Sequence, residues 1–386
     1  MRNLSDTIKR LATTRNATDL HWNVSGPDRL TDLSDFGSNP GNLRARFYVP
    51  EALAHNAPLV VVLHGCTQSA GGYDLGSGWS QMADRFGFAL LFPEQQRANN
   101  PNLCFNWFSP EDTARGSGEA LSIRQMVDTV LHKHRIDKSR IFVTGLSAGG
   151  AMTSVMLATY PEVFAGGAII AGLPFGCAQT MPQAFDRMRG HKIPDRAELA
   201  ELVRGASDHS GKWPTVSVWH GTADSTVNAA NAAAVLEQWC ALHGVGPRPS
   251  RTESARGYPR RVWCDAEGRE VIEEYSITGM GHGTPIEVSG DEGCGKEGPF
   301  MLEASISSTR HLCRFWGLDC AADSEAPLDT SARFAFRELA PAADRSGAEV
   351  GTRARVEPQG VSHPAPTIEG VGKVIEDALR KAGLMH

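Results

Sequence analysis

The sequence predicts an α/β domain with a mostly parallel sheet, helices on both faces and a cap-like insertion. Short apolar runs such as PLVVVL (Pro58–Leu63) are typical of strands buried on both faces of a parallel sheet. These runs alternate with segments that have apolar residues at helical spacing, as in Glu119–His134. That alternation predicts right-handed crossover connections. A length of 386 residues suits one large domain with additional segments.

The predicted elements follow one another along the chain. Apolar or small-residue runs predict strands at Leu43–Val49, Pro58–Leu63, Phe88–Phe92, Arg140–Thr144, Gly166–Ala171, Thr215–Trp219 and Val271–Ile277. Helical segments are predicted at Glu119–His134, Ala148–Thr159, Asn228–His243 and Ser307–Trp316. In the first of these helices, one face is formed by Ile123, Met126, Val127, Val130 and Leu131.

Changes in composition along the chain predict four segments. Residues 1–42 are polar and are expected to form an irregular arm, and residues 43–320 hold the alternating pattern of a catalytic domain. Within it, residues 174–213 break the alternation with Gly, Pro and charged residues, which predicts a cap over the carboxyl edge of the sheet. Residues 321–366 lack periodicity and are expected to be a flexible linker. One apolar stripe predicts an amphipathic helix at 367–386, which could dock on the domain, pair with a second subunit or contact a hydrophobic surface.

Charge and hydropathy exclude several classes of protein. The chain has 38 Lys and Arg against 44 Asp and Glu, a net charge of −6, so we do not expect nucleic acid as a partner. It contains no apolar stretch of about 18 residues, so we expect no membrane span. The first 20 residues lack the apolar core of a secretory signal, which predicts a cytoplasmic protein. A secreted protein that has lost its signal would have the same sequence.

The spacing of the eight cysteines excludes two kinds of cysteine motif. None forms a CxxC pair, which excludes zinc ribbons and thioredoxin-like motifs. One or two disulfides are compatible with this number of cysteines, and spacing alone does not fix their pairing.

A candidate nucleophile lies in GLSAG at Gly145–Gly149, which matches the pattern G-x-S-x-G. The predicted strand RIFVT precedes it and a helix of small residues follows. This context is typical of a nucleophile elbow, in which a sharp turn exposes the serine hydroxyl at the end of the sheet. The alternative is an ordinary Gly/Ser turn. The context favours Ser147 as a nucleophile.

A serine nucleophile needs a histidine base that is held by an acid, and in this fold class the chain order is Ser, acid, His. WHGTAD follows the strand TVSVW and places Asp224 at the same sheet edge as Ser147. GMGHG follows the last predicted strand and supplies His282. Asp224 could instead be a turn or helix-cap residue. His64 and His220 stand in His-Gly pairs at strand ends, where a structural role is expected.

Two backbone N–H groups are expected to stabilise the tetrahedral oxyanion. One is that of Ala148, directly after the nucleophile, and the other that of Cys66, in the loop after PLVVVL. A small buried side chain or a disulfide at Cys66 is compatible with this backbone role.

Several motifs agree in order and spacing with one family. They are LHGCTQ (Leu63–Gln68), FPEQQ (Phe92–Gln96), CFNWF (Cys104–Phe108), GLSAGG (Gly145–Gly150), WHGTAD (Trp219–Asp224) and GMGHG (Gly279–Gly283). Over about residues 43–318 the chain resembles esterases of the poly(3-hydroxybutyrate) depolymerase family, which borders feruloyl and acetylxylan esterases. The resemblance implies an α/β-hydrolase fold with Ser147, Asp224 and His282 as the triad. It also implies an oxyanion role for the Cys66 N–H and a place for Trp107 in the acyl or alcohol pocket, although Trp107 could simply be core.

The resulting hypothesis is a serine carboxylic-ester hydrolase that cleaves poly(3-hydroxybutyrate)-type polyesters or their oligomers through an acyl-enzyme. This chemistry requires no metal and no organic cofactor. The nearest alternative is a feruloyl, aryl or acetyl esterase of the same fold. A non-catalytic granule-binding protein and a peptidase or acyltransferase are more distant alternatives, and a complete triad argues against the binding protein.

Overall fold

The computed structural model describes Val24, residues 26–290 and residues 293–319. The linker predicted at 321–366 and the helix predicted at 367–386 lie outside the described residues, as do residues 1–23 of the predicted arm. The rest of that arm contributes a short strand, β1, to the edge of the sheet.

A ten-stranded sheet forms the centre of the described structure, in the order β1-β2-β4-β3-β5-β6-β7-β10-β9-β8. Its strands are β1 (Thr31–Asp32), β2 (Arg44–Tyr48), β3 (Ala57–Leu63), β4 (Ala89–Glu94), β5 (Ile136–Leu146), β6 (Gly166–Ile170), β7 (Thr215–Gly221), β8 (Arg251–Ala255), β9 (Tyr258–Cys264) and β10 (Glu270–Ile277). The six strands from β4 to β10 in this order are parallel, whereas β1, β2, β9 and β8 pair antiparallel at the two edges. A separate parallel pair consists of β11 (Thr284–Ile286) and β12 (Met301–Glu303).

Helices cover both faces of the sheet. They are α1 (Ala70–Ser77), α2 (Trp79–Phe86), α3 (Pro110–Thr113), α4 (Gly118–Lys133), α5 (Ala148–Thr159), α6 (Met181–Met188), α7 (Arg196–Arg204), α8 (Ala230–Leu242) and α9 (Ser308–Phe315). Two hydrophobic cores lie against the sheet, and alternate residues of β3 pack into different ones. Val61 belongs to the larger core, with α4, α5, α7 and α8, and Val62 belongs to the smaller core, with α1, α2 and α9. This division reflects the two-residue period of a strand. It explains why β3 is apolar throughout.

The predicted insertion at residues 174–213 contains α6 and α7. Asp195 caps α7 by accepting the N–H groups of Ala197 and Glu198, and α7 buries Leu199 and Val203 in the larger core. The last residue of α6 lies against the loop after β7, where Met188 O accepts the N–H of Asn228 at 2.8 Å. The insertion therefore contacts the loop that carries Asp224.

The hairpin β8–β9 was absent from the sequence prediction, because RTESA has neither an apolar run nor an alternating pattern. Its first four residues are exposed, and ion pairs hold it in place. Arg251 pairs with Glu253 and Glu270, and Arg260 pairs with the same two glutamates. We call these four residues and β8 the charged edge of the sheet.

Within the described ranges, no helix is both long and apolar enough to cross a membrane.

Candidate active site

Ser147 lies at the sharp turn between β5 and α5, where the sequence predicts an elbow. Its backbone has φ 59° and ψ −118°, a left-handed φ that is costly for a residue with a side chain. The turn is held by a hydrogen bond of 2.9 Å from the Ser147 N–H to the carbonyl of Ile170 in β6. A side chain at Gly145 would overlap the Gly149 carbonyl, and one at Gly149 would overlap the carbonyls of the β3 end. The two glycines therefore allow the close approach that the elbow needs.

Asp224 and His282 meet at the same carboxyl edge of the sheet, because β7 and β10 are adjacent parallel strands. The distance from His282 Nδ1 to Asp224 Oδ2 is 2.7 Å. The other oxygen, Oδ1, accepts the N–H groups of Thr226 and Val227, both at 2.9 Å. The carboxylate is thus oriented by its own loop and directs one oxygen at the imidazole.

The electrostatics of this pair suit a histidine base. Burial raises the pKa of Asp224, but the neighbouring His282, the more distant His220 and the backbone donors outweigh burial and bring that pKa below its usual value. The carboxylate accepts a hydrogen bond from the Nδ1–H group of His282 and so leaves Nε2 unprotonated and available as the base.

Ser147 is buried and the side chain of His282 is 5% exposed, but among the described residues no hydrogen bond joins the serine hydroxyl to the imidazole. Such bonds are often long in free enzymes and shorten in the substrate complex. The structure therefore brings Asp224 and His282 into contact. It places Ser147 at the same edge, two strands away from Asp224.

The loop after β3 leaves one backbone donor unused. The N–H of Gly65 donates to Gln68 Oε1 at 2.8 Å, and that of Thr67 donates to the carbonyl of Asn102 at 2.7 Å. In the described part of the chain, neither the Cys66 N–H nor the Ala148 N–H donates a hydrogen bond. Both predicted oxyanion donors are therefore available to a ligand.

The pairing of two cysteines, which the sequence left open, is Cys66 with Cys104. This disulfide joins the loop that bears the oxyanion donor to the loop after β4. The other described cysteines are free: Cys177, Cys240, Cys264, Cys294 and Cys313.

Trp107 lies in the loop after β4 and is 8% exposed. Its ring meets that of Phe108 edge-on at 5.5 Å and belongs to the larger core. A role in the substrate pocket is therefore still a hypothesis. Trp79 is buried and stacks on Trp316.

The two alternative histidines have structural partners. His64 Nδ1 lies 2.7 Å from the carbonyl of Gly65, and burial lowers the pKa of His64. His220 Nε2 lies 2.8 Å from the carbonyl of Val227 and 3.5 Å from Asp224 Oδ2, and burial lowers the pKa of His220 as well. Both rings support loops of the site.

Two residues near the site were missed by sequence reasoning. Gln68, buried, accepts the Gly65 N–H and so shapes the loop of Cys66. It lies within the motif LHGCTQ, which was the available signal. Phe300 packs edge-on against His282 with ring centroids 6.1 Å apart and has φ 64°. No motif marks Phe300.

Comparison with known proteins shows that this chain is similar to esterases. A family model for esterase PHB depolymerase matches residues 43–254. The chain is 47% identical over 291 residues to poly(3-hydroxyalkanoate) depolymerase C of Paucimonas lemoignei, covering 75% of this chain and 70% of that protein. It is 32% identical to acetylxylan esterase A of Emericella nidulans, covering 69% and 88% of the two chains. It is 33% identical to feruloyl esterase B of Talaromyces stipitatus, covering 67% and 74%.

Among solved structures, an acetyl xylan esterase from Aspergillus awamori superimposes with a TM-score of 0.64 at 27% identity. The match covers 75% of this chain and 99% of that one. The predicted α/β-hydrolase fold is confirmed.

Proposed function

This chain belongs to the PHB depolymerase family of esterases, and from that premise we propose that its substrates are poly(3-hydroxyalkanoate)-type polyesters or their oligomers. The chain is a serine ester hydrolase. The observation that carries the substrate proposal is the 47% identity to a poly(3-hydroxyalkanoate) depolymerase, compared with 32% and 33% to the acetylxylan and feruloyl esterases.

In the proposed mechanism, Ser147 Oγ attacks the ester carbonyl carbon while His282 Nε2 accepts its proton. The oxyanion that forms accepts hydrogen bonds from the N–H groups of Cys66 and Ala148. As the tetrahedral intermediate collapses, the C–O bond breaks and the alcohol takes the proton from His282. Asp224 stabilises the transient imidazolium of His282 and itself stays ionised throughout.

The acyl-enzyme is then hydrolysed by the same groups. Water attacks the acyl carbon as His282 Nε2 removes its proton, and the second tetrahedral intermediate uses the same two donors. Its collapse returns the proton to Ser147 Oγ and releases the carboxylic acid. The buried, oriented carboxylate of Asp224 and the two unused N–H groups support these roles.

A feruloyl, aryl or acetyl ester is the second candidate substrate. The structural match to an acetyl xylan esterase favours it, because that match spans nearly all of the other chain. The flat indole of Trp107 would suit either an aryl acid or a polyester segment.

A substrate panel separates these candidates. The assays measure kcat/KM for 3-hydroxybutyrate oligomers, p-nitrophenyl butyrate, methyl ferulate and acetylated xylan, and acid release from a polyester film, with Ser147→Ala as the background control. We expect the hydroxybutyrate oligomers to have the highest kcat/KM among the natural esters. A tenfold preference for methyl ferulate or acetylated xylan would contradict the proposal.

Two further proposals concern the cellular compartment of the enzyme and the role of its C-terminal segment. The sequence predicts a cytoplasmic protein, whereas we propose that the enzyme works in an oxidising compartment, because it contains the Cys66–Cys104 disulfide and lasting disulfides are rare in the cytosol. We also propose that residues 367–386 serve self-association or surface contact and not hydrolysis, since the proposed catalytic residues all precede position 283.

A further inference from the structure

Glu119 has a buried carboxyl group that the mechanism does not use. It lies in the first turn of α4 and is 0% exposed. Burial and the nearby Asp112 carboxylate raise the pKa of Glu119 to about 8, against hydrogen bonds that favour its ionised form. Among the described residues no Arg or Lys pairs with it. A buried acid with no cation is costly, so its position calls for a physical reason.

All three hydrogen bonds to Glu119 come from one loop, residues 95–107, which we call the β4 loop. Gln95 Nε2 and Asn106 Nδ2 donate to Oε1 at 2.6 and 2.9 Å, and the Asn106 N–H donates to Oε2 at 2.9 Å. Gln95 Nε2 also donates to the carbonyl of Cys104 at 3.0 Å. The two ends of the β4 loop therefore meet on a single carboxylate.

The β4 loop is joined in turn to the loop of Cys66 at three points. Cys104 forms the disulfide with Cys66 itself. On one side of Cys66, the Thr67 N–H donates to the Asn102 carbonyl at 2.7 Å. On the other side, the Gln95 N–H donates to His64 Nε2 at 3.1 Å. A shift of the β4 loop would therefore move the Cys66 N–H.

We propose that Glu119 is a positioning residue of the ester-hydrolysing site: by holding the β4 loop, its carboxyl group fixes the Cys66 N–H in the oxyanion hole. The inference rests on the proposed function, in which that N–H stabilises the oxyanion. Donors of this kind act because they are fixed in place before the reaction, and small displacements are expensive. Glu119 itself touches neither the substrate nor the reacting atoms.

The test is Glu119→Gln in the full chain, with kinetics on p-nitrophenyl butyrate corrected for the fraction of active sites. Both oxygens of the Glu119 carboxyl group accept hydrogen bonds, and an amide presents an NH₂ group in place of one of them, so at least one of the three donors loses its partner. We expect kcat to fall about 10- to 100-fold with KM within about threefold. The Ki of a trifluoromethyl ketone, whose adduct carries the oxyanion, should rise in proportion. Glu111→Gln, an exposed glutamate nearby, is the matched control and should leave both constants unchanged.

Two additional variants keep the proposal falsifiable. If Glu119→Gln does not fold, Asn106→Ala removes one donor from the loop side and should lower kcat in the same way by a smaller factor. Because the disulfide is one of the three links through which Glu119 acts, the effect of Glu119→Gln should also shrink in a Cys104→Ser background. A folded Glu119→Gln protein with unchanged kcat and inhibitor affinity would overturn the proposal. This outcome is distinct from failure of the proposed function, for which Ser147→Ala would keep its activity or the substrate panel would favour another ester.

Discussion

Cys66 and Cys104 form a disulfide that links the loops after two neighbouring strands, β3 and β4, at the edge where the candidate catalytic groups lie. Cys66 contributes its backbone N–H to the candidate oxyanion hole, whereas Cys104 belongs to the β4 loop with Trp107. The bond therefore connects the group that would stabilise the reacting carbonyl to the loop that would contact the acid or alcohol.

Breaking this bond should slow catalysis. In Cys104→Ser, or after reduction of the wild-type protein, we expect kcat on p-nitrophenyl butyrate to fall about tenfold, because the Cys66 N–H loses its covalent anchor. Cys264→Ser, which removes a partly exposed free thiol, should leave kcat unchanged. Equal kcat values for Cys104→Ser and wild type would show that the remaining hydrogen bonds suffice to hold the loop.

Ser147→Ala should abolish ester hydrolysis and leave the fold intact. Loss of the nucleophile is expected to lower kcat by a factor on the order of 10⁴–10⁶. Ser139→Ala, an exposed serine at the other end of β5, is the control, and circular dichroism checks the fold. Retention of a tenth of the wild-type rate would exclude Ser147 as the nucleophile.

Asp224→Asn should preserve the loop geometry and impair the reaction, because the amide favours the wrong tautomer of His282. A loss in kcat on the order of 10²–10⁴ is expected on a soluble ester. Asp208→Asn, an exposed acid in the insertion, should behave as wild type. A nearly active Asp224→Asn enzyme would direct the search to another acid.

Glu273 should make the stability of the protein depend on pH. It is buried between Ser217 Oγ at 2.7 Å and Arg260 Nε at 2.8 Å, and burial raises its pKa from 4.5 to about 7. Between pH 4.5 and about 7, Glu273 therefore keeps a proton in the folded state that it has already released in the unfolded state. Its contribution to the free energy of unfolding is highest below pH 4.5 and declines as pH rises to about 7.

The measurement is urea unfolding of wild type and Glu273→Gln at pH 5 and pH 8. We expect the free energy of unfolding to fall less between these pH values in the variant, whatever its absolute stability. An equal decline in both proteins would mean that Glu273 is ionised in the folded state throughout this range.

Deletion of residues 325–386 should leave kcat/KM on p-nitrophenyl butyrate within a few-fold of wild type, because the candidate site lies entirely in the described domain. Adsorption to a polyester film or the oligomeric state can change instead. A loss beyond about tenfold, roughly 1.4 kcal/mol of transition-state stabilisation, in a folded truncated protein would place the tail in the active site.

The sequence predicts those parts of the molecule whose structure is set by residues that are close together in the chain. The helix after Ser147 has the predicted bounds Ala148–Thr159, since an apolar strand, two glycines and a run of small residues all indicate the same elbow. The contact between Asp224 and His282 was also expected, because each residue follows a strand of one parallel sheet.

Other features depend on partners that are distant in sequence. The disulfide links residues 38 positions apart, and spacing does not select it among the possible pairs. Glu119 appears in the sequence only as the first residue of a predicted amphipathic helix, whereas its role depends on Gln95 and Asn106 from another segment. The β8–β9 hairpin is held by ion pairs, which leave no apolar pattern in the sequence.

The charged edge also affects how copies of the protein meet. β8 is the last strand of the sheet, so no described strand pairs with its outer side. An edge of this kind is a template on which a strand of another molecule can add and begin aggregation. Arg251 and Glu253 put charges of both signs on that strand, and an arriving strand would have to strip them of water. Any specific self-association should accordingly use a surface other than β8.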